Sequence, residues 1–116
     1  MYRQGDVLLE KIDEIPKRKT TKETLLVRGE GRNHGHFISG DELDIFEGEM
    51  EETTSSGGLV THYLNVQAEA VLEHKLIASH AWTGEHAPIL LPPGRYRVIK
   101  QREYNPFSRA IRAVKD

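Results

Sequence analysis

The chain has no cysteine among its 116 residues, so disulfides, thiolate metal sites and cysteine nucleophiles are all excluded. It also has no apolar run near the roughly 20 residues that a membrane-spanning helix needs. The opening residues, MYRQGDVLLEKIDEIP, lack the long apolar core and the small-residue cleavage site of a signal peptide. These absences predict a cytoplasmic protein without a membrane partner.

Aromatic residues are also few, at 7%, and the net charge is close to zero, at −2. Hydrophobic residues make up 37% of the chain and charged residues 29%, a balance typical of a globular protein in water. The length fits one domain, since single domains typically have about 100–150 residues. We therefore expect one folded domain over residues 1–116. The small net charge indicates no partner, and no pattern indicates an oligomeric state.

The charges are unevenly distributed along the chain. Residues 41–58 contain seven acidic residues and no basic one, whereas residues 95–116 contain seven basic and two acidic residues. Such a separation could steer an anionic ligand, but a solvated acidic loop and an exposed basic strand explain it as well. In RYRVIKQREY (95–104), tyrosine and arginine side chains could stack on and pair with a nucleic acid. The alternative is that Tyr96 and Val98 belong to the core.

Short apolar runs separated by turn residues predict a small all-β domain, either a β-barrel or a β-sandwich, with at most one short helix. The predicted strands cover residues 5–12, 23–29, 34–39, 42–46, 59–67, 86–91 and 95–104. Residues 47–58 are predicted to form a loop. The pattern after Pro106 fits a strand, a helical turn or loose chain equally well.

Two pairings follow from the turn residues between these strands. We expect 34–39 to pair with 42–46 across a turn at Gly40-Asp41. We also expect the last two predicted strands to pair through PPG, with Pro93-Gly94 at the centre of a type II turn.

The stretch QAEAVLEHKLIASHAW (67–82) is ambiguous. Its Ala, Glu, Leu and Lys residues favour a helix, and apolar residues at 68, 71, 72 and 76 fit a helical stripe. The alternative is a short strand, AVLEH (70–74), followed by a loop that carries Trp82. The surrounding predicted strands favour the strand and loop, which is the interpretation that we adopt.

The segment GRNHGHFISG (31–40) places His34 and His36 two residues apart on a predicted strand. Residues so spaced point to one face of a strand, about 6–7 Å apart along the chain, so two imidazoles there could bind one cation. A single H-x-H is a weak motif, and histidines in polar turns often only form hydrogen bonds. The pair therefore predicts a metal site only together with further ligands.

Four other histidines could complete such a site. His74 closes one predicted strand, and His86 opens the next one beside Glu85. His62 shares a predicted face with apolar neighbours, which favours a core histidine, and His80 lies in a predicted exposed loop. Without cysteine the ligands are histidines with or without carboxylates, a set suited to Zn, Fe, Ni, Cu or Mn. Zinc is the metal that we expect first.

Three segments carry a resemblance to a known family: QGDVLLEKI (4–12), GEGRNHGHFISG (29–40) and EHAPILLPPGRYRVIKQREYNP (85–106). In them the chain resembles a family of small uncharacterised prokaryotic and phage-encoded proteins. That family has a QGDV first strand, a G-H-x-H segment and an EHAPI–LPPG–QREY ending. The resemblance implies that His34, His36 and His86 occupy the family's histidine positions, with Glu85 alongside.

The family pattern has one more histidine shortly before its E-H pair. In this chain His74 lies in VLEH, but KLIASHAWTG separates it from Glu85, so either His74 or His80 could take that role. Asn33 stands where the family usually has glycine. A looser similarity to cupins lies in the H-x-H strand, the later histidine and the P-x-G-type turn, and it concerns arrangement only. The family implies positions for the histidines but no reaction.

Together these patterns predict a metal site formed by His34, His36, His74 and His86. Glu85 is the predicted catalytic residue, which either supports a ligand or acts as a general base. The corresponding function is metal-dependent hydrolysis, or a related reaction, on a small polar substrate. The alternative is a non-catalytic module that binds nucleic acid or a protein partner. A structural accessory protein of a phage or its host is a third interpretation.

Overall fold

A computed structural model describes residues 1–29, 33–50 and 58–101, and these residues form ten β-strands. The strands are β1 (Tyr2–Gln4), β2 (Val7–Ile12), β3 (Thr20–Thr21), β4 (Leu25–Arg28), β5 (His34–Gly40), β6 (Leu43–Glu47), β7 (Gly58–Val66), β8 (Ala70–Leu76), β9 (Ile89–Leu91) and β10 (Gly94–Gln101). Within these three ranges of the chain no helix is long and apolar enough to cross a membrane.

The strands form two antiparallel sheets. Sheet A has the order β1-β2-β10-β7-β6-β3, and sheet B has the order β4-β5-β8-β9. Buried side chains from both sheets form one hydrophobic cluster, so the sheets pack face to face as a β-sandwich. The prediction of a small all-β domain of barrel or sandwich type is confirmed.

The inner faces of the two sheets account for the alternating apolar residues of the sequence. Val7 and Leu9 of β2 enter the core, and so do Leu64 and Val66 of β7, because side chains two residues apart share a face. Sheet B contributes Leu26, Val27, Ile38, Ala70, Leu72 and Leu91. The ring of Tyr96 is buried among them, and its hydroxyl donates to the carbonyl of Pro92 at 2.6 Å.

A smaller hydrophobic cluster lies on the outer face of sheet A. It includes Leu8, Val60, Tyr63 and Ile99, and Ile15 from the segment after β2 packs against it. The hydroxyl of Tyr63 donates to a carboxylate oxygen of Glu49 at 2.6 Å. Burial, together with this hydrogen bond, raises the pKa of Tyr63 to about 12. Sheet A is therefore covered on both faces near its centre.

The predicted pairing of residues 34–39 with 42–46 is wrong. β5 lies in sheet B, where it pairs with β4 and β8, whereas β6 lies in sheet A, where it pairs with β3 and β7. The chain crosses from one sheet to the other at Gly40-Asp41. Ile38 and Ile45 therefore enter the same core from opposite sheets.

The predicted final pair is wrong for the same reason. β9 pairs with β8 in sheet B, and β10 pairs with β2 and β7 in sheet A. The PPG segment carries the chain between the sheets. Gly94 has a φ of 158°, far from the value of about +80° that a type II turn requires.

The ambiguous stretch 67–82 forms strand β8 followed by turns and a loop, so the strand interpretation is confirmed over the helix.

The first predicted strand, 5–12, corresponds to β2, which begins two residues later, at Val7. Gly5 and Asp6 instead form a turn that connects β2 to the additional strand β1. Gly5 has a φ of 59°, the positive φ that a type II′ hairpin turn needs at its first central position. Part of the predicted acidic loop and the predicted C-terminal tail lie outside the described residues.

The assigned core predicts that alanine substitution of two leucines has very different effects on the free energy of unfolding. Leu64 on β7 is 0% exposed, whereas Leu90 on β9 is 57% exposed. Leu64→Ala should lower the free energy of unfolding by about 2–5 kcal/mol through lost burial and a cavity. Leu90→Ala should change it by less than about 0.5 kcal/mol. Urea unfolding of the two variants measures this, and equal losses would contradict the assigned core.

Candidate metal centre

Four of the six histidines line one cavity between the two sheets. The cavity has a volume of about 370 Å³ and is lined by Asp6, Gly29, His34, His36, His74, Glu85 and His86. None of these described lining residues is Lys or Arg. The cavity is therefore rich in groups that bind cations.

The pairing of β5 with β8 places three of the histidines. His36 lies directly opposite His74 in the antiparallel register, and His34 lies two residues before His36 on the same face. Nδ1 of His34 lies 3.0 Å from Nε2 of His74. The ring centroids of His36 and His74 are 4.8 Å apart. Gly29 permits this packing, because a Cβ there would lie 2.4 Å from Nδ1 of His34.

The loop after β8 brings the next part of the cavity wall. It folds back along β8, where Lys75 forms a bridge with Trp82 and the amide of Thr83 donates to the carbonyl of His74. The hydroxyl of Thr83 lies 2.6 Å from Nδ1 of His74. The same loop places the ring of His86 with its centroid 4.9 Å from that of His74. The indole Nε1 of Trp82 donates to the carbonyl of His86 at 2.9 Å and so holds the loop in place.

The β1–β2 turn of sheet A closes the opposite side. Oε1 of Gln4 lies 2.8 Å from Nδ1 of His36, and Oδ1 of Asp6 lies 3.3 Å from Nε2 of the same ring. The amide nitrogen of Gln4 donates to the carbonyls of Leu72 and Ala87, at 3.0 and 2.9 Å. The hairpin thus contacts both ring nitrogens of His36.

Burial and charge both favour the neutral form of His74. Burial, and then the nearby histidines, lower the pKa of His74 from 6.5 to about 4, against a small opposing effect of Glu85. Its imidazole is therefore neutral at pH 7, the form that binds metals. Hydrogen bonding to His36 lowers the pKa of Asp6, so Asp6 is a carboxylate at the same pH.

Three side chains form a group that could bind a metal ion. The ligand atoms of His34, His74 and Glu85 all lie within 4.8 Å of one another. His34 and His74 come from paired strands, whereas Glu85 comes from the loop and its side chain is 60% exposed. The group therefore combines two ligands on the sheet with one on the more exposed loop.

The structure brings all five predicted site residues to the cavity. His34, His36, His74, His86 and Glu85 all line it, and their roles as ligands or catalyst stay predictions. His86 lies in the loop and not in a strand, because β9 begins only at Ile89.

The other two histidines lie elsewhere. His80 is exposed and packs against the ring of Phe37, with the centroids 5.0 Å apart. Of the two alternatives left by the sequence, His74 lines the cavity and His80 does not. His62 is half-buried on β7, where its Nδ1 lies 3.0 Å from the hydroxyl of Thr61. Burial lowers the pKa of His62.

Sequence reasoning missed Gln4, Asp6 and Thr83. Gln4 and Asp6 are part of QGDV, which carried the family resemblance but was interpreted only as a strand. One signal was available: two polar residues flank a glycine immediately before an apolar strand, a pattern typical of a tight turn. Thr83 gave no such signal, since its role depends on how the loop folds back.

Several side chains of the basic strand β10 are buried in the domain or bonded to other residues of it. Tyr96 and Val98 are buried, as the core interpretation expects. Arg97 forms an ion pair with Glu10, and the guanidinium of Arg95 donates to the carbonyl of Asp13 at 2.6 Å. Nucleic-acid binding by this strand stays a prediction.

Comparison with known proteins gives a family and nothing more specific. A family model described as a domain of unknown function (DUF8820) matches residues 3–101. No curated protein and no solved structure matches the chain.

The lowered pKa of His74 predicts how the metal-free protein responds to pH. The unfolded chain takes up a proton at its ordinary pKa of 6.5, whereas the folded chain resists protonation down to about 4. The contribution of the neutral His74 ring to the free energy of unfolding is therefore complete above pH 6.5 and is lost as the pH falls toward 4. Urea unfolding in EDTA at several pH values measures this, and His74→Gln should flatten the dependence. An unchanged slope in that variant would contradict the assignment.

Proposed function

The chain belongs to the DUF8820 family, and we propose that it is a metal-dependent hydrolase of small polar substrates. In this proposal His34, His36, His74 and His86 bind one divalent transition metal, with zinc the expected ion. The observation that supports it is the convergence of four imidazoles and two carboxylates on one cavity. Nitrogen and oxygen donors of this kind suit zinc and other divalent transition metals.

The spacing of the donors fits a metal ion. Two ligands bound at about 2.0–2.1 Å are separated by about 2.9–3.4 Å when the angle between them is a right angle or tetrahedral. Nδ1 of His34 and Nε2 of His74 are 3.0 Å apart. Neighbouring ligands of a single ion would have the same separation.

Thr83 supports the required tautomer of His74. Its hydroxyl donates to the carbonyl of His74 at 3.4 Å and accepts from the amide of Glu85 at 3.2 Å. With its hydrogen directed to that carbonyl, the hydroxyl would accept the hydrogen bond of Nδ1–H of His74, and Nε2 would keep its lone pair toward His34. Metal-binding histidines commonly have such a partner on the second ring nitrogen.

In this proposal Glu85 moves a proton at the mouth of the cavity. Its Oε2 lies 3.9 Å from Nδ1 of His74, and the side chain is largely exposed. A bound zinc ion supplies polarisation of a substrate oxygen and lowers the pKa of bound water to about 7. Glu85 would accept the proton of the attacking water and return it to the leaving group. The cavity of about 370 Å³ limits the substrate to a small molecule or a short terminal group.

Zinc should stabilise the folded protein. At a free zinc concentration of 100 times the dissociation constant, we expect the free energy of unfolding to rise by about 2.7 kcal/mol. His34→Ala and His74→Ala should lose most of this increase, whereas His80→Ala should keep it, because His80 lies outside the cavity. Unfolding with zinc and with EDTA, together with elemental analysis of the untagged protein, measures the effect. A wild-type protein with far less than one metal per chain after metal-replete expression would rule out the proposed centre.

Hydrolysis should depend on Glu85 separately from metal binding. With 4-nitrophenyl acetate as the probe, Glu85→Gln should lower kcat by about 100- to 10,000-fold, the usual contribution of a general base. The variant should still bind zinc through the four histidines. Activity that is unchanged in Glu85→Gln but absent in His74→Ala would keep the metal centre and remove Glu85 as the base.

A further inference from the structure

We propose that Asp6 is a further ligand of the metal and that Gln4 is the residue that orients His36 toward it. This inference rests on the proposed metal centre and adds the β1–β2 turn to it. Neither residue belongs to the group of His34, His74 and Glu85. The hydrogen bonds of Gln4 fix the position of the hydrogen on the ring of His36.

The orientation of the Gln4 amide is fixed by two backbone carbonyls. Gln4 is 2% exposed, and its nitrogen lies 3.0 Å from the carbonyl oxygen of Leu72 and 2.9 Å from that of Ala87. The amide group has two N–H donors, and both are used here. The flipped amide would place an oxygen against two other oxygens, so it is excluded. Oε1 of Gln4 therefore faces His36.

This orientation determines the tautomer of His36. Oε1 of Gln4 can only accept, so Nδ1 of His36 must carry the hydrogen in their 2.8 Å contact. In the neutral ring Nε2 then has no hydrogen and presents a lone pair. His36 is 2% exposed, so water does not compete for this arrangement. Gln4 thus turns the metal-binding nitrogen of His36 toward the cavity.

The second ring nitrogen of His36 faces Asp6. Nε2 of His36 and Oδ1 of Asp6 are 3.3 Å apart. In the metal-free protein a hydrogen on Nε2 joins the two atoms in the hydrogen bond between His36 and Asp6, and a metal ion bound by both atoms would take its place. The separation is also that of neighbouring ligands around one ion, about 2.9–3.4 Å for bonds of 2.0–2.1 Å. The imidazole nitrogen and the carboxylate oxygen therefore form a ready pair of ligands.

Gly5 makes the close approach of this turn possible. Its φ of 59° lets Gln4 and Asp6 reach opposite sides of the same imidazole. A Cβ at this position would lie 3.0 Å from Nε2 of His86. The turn therefore approaches two of the proposed histidine ligands.

Zinc affinity of three variants tests the inference, measured by competition with a chromophoric chelator. Gln4→Met should weaken zinc binding by about 10- to 100-fold, the usual effect of losing a partner of a metal ligand. Asp6→Asn removes a proposed ligand and should weaken zinc binding at least as much. Val7→Ala is the matched control, since Val7 is a fully buried neighbour on the same hairpin and belongs to the hydrophobic core. It should destabilise the fold and leave zinc affinity unchanged.

Gln4→Glu separates orientation from stability. Its carboxylate still accepts from Nδ1 of His36 but cannot donate to the two carbonyls, so the fold should lose stability. Zinc affinity should nevertheless recover relative to Gln4→Met. A purely structural role of Gln4 would make zinc affinity follow stability instead.

The tautomer is visible without any activity measurement. Long-range ¹H–¹⁵N spectra of the zinc-loaded protein should show a hydrogen on Nδ1 of His36 and none on Nε2. A hydrogen on Nε2, or wild-type zinc affinity in both Asp6→Asn and Gln4→Met, would overturn this inference and leave the histidine centre intact. A wild-type chain that binds no zinc would overturn the proposed function itself.

Discussion

The candidate site depends on the antiparallel pairing of β5 with β8. This register sets His36 opposite His74 and brings His34 to the same face. The next inward pair along the same two strands is Ile38 opposite Leu72, and both are fully buried. A shift of one residue would turn these apolar side chains out of the core, so the core opposes it. The hydrophobic effect that stabilises the sandwich therefore also sets the positions of the histidines.

The site extends the core with polar groups that satisfy one another. His36 and His74 are as buried as the apolar residues beside them, and a buried polar group without a partner destabilises the fold. Each ring avoids this through contacts from other elements: Gln4 and Asp6 on His36, Thr83 and His34 on His74. Removing one partner therefore affects the hydrogen bonds of the whole group. The effects of single substitutions here on the free energy of unfolding should not be additive.

Local patterns in the sequence predicted most of the strands and the shared face of His34 and His36, because both follow from the two-residue period of a strand. They missed the short strands β1 and β3. They were not sufficient for the strand partners. A turn such as Gly40-Asp41 has the same composition whether the chain stays in one sheet or crosses to the other, and the packing of the two sheets decides between them. Gln4 could not be assigned to His36 because the contact joins positions 32 residues apart through the docking of a hairpin. Glu85 could be identified as a candidate because it is adjacent to His86 in the sequence, and adjacency requires no knowledge of the fold.

The strand order of sheet A also determines when the site is completed during synthesis. In the described part of the chain, the hairpin β1–β2 joins the rest of the sheet through β10, which follows every histidine in the chain. The pairing that brings the histidines of β5 and β8 together involves no residue after β8. Gln4 and Asp6 precede the histidines in the chain, but their hairpin gains its pairing with the rest of sheet A only when residues 94–101 are present. A chain that ends before β10 therefore lacks the strand pairing that holds the β1–β2 hairpin in sheet A.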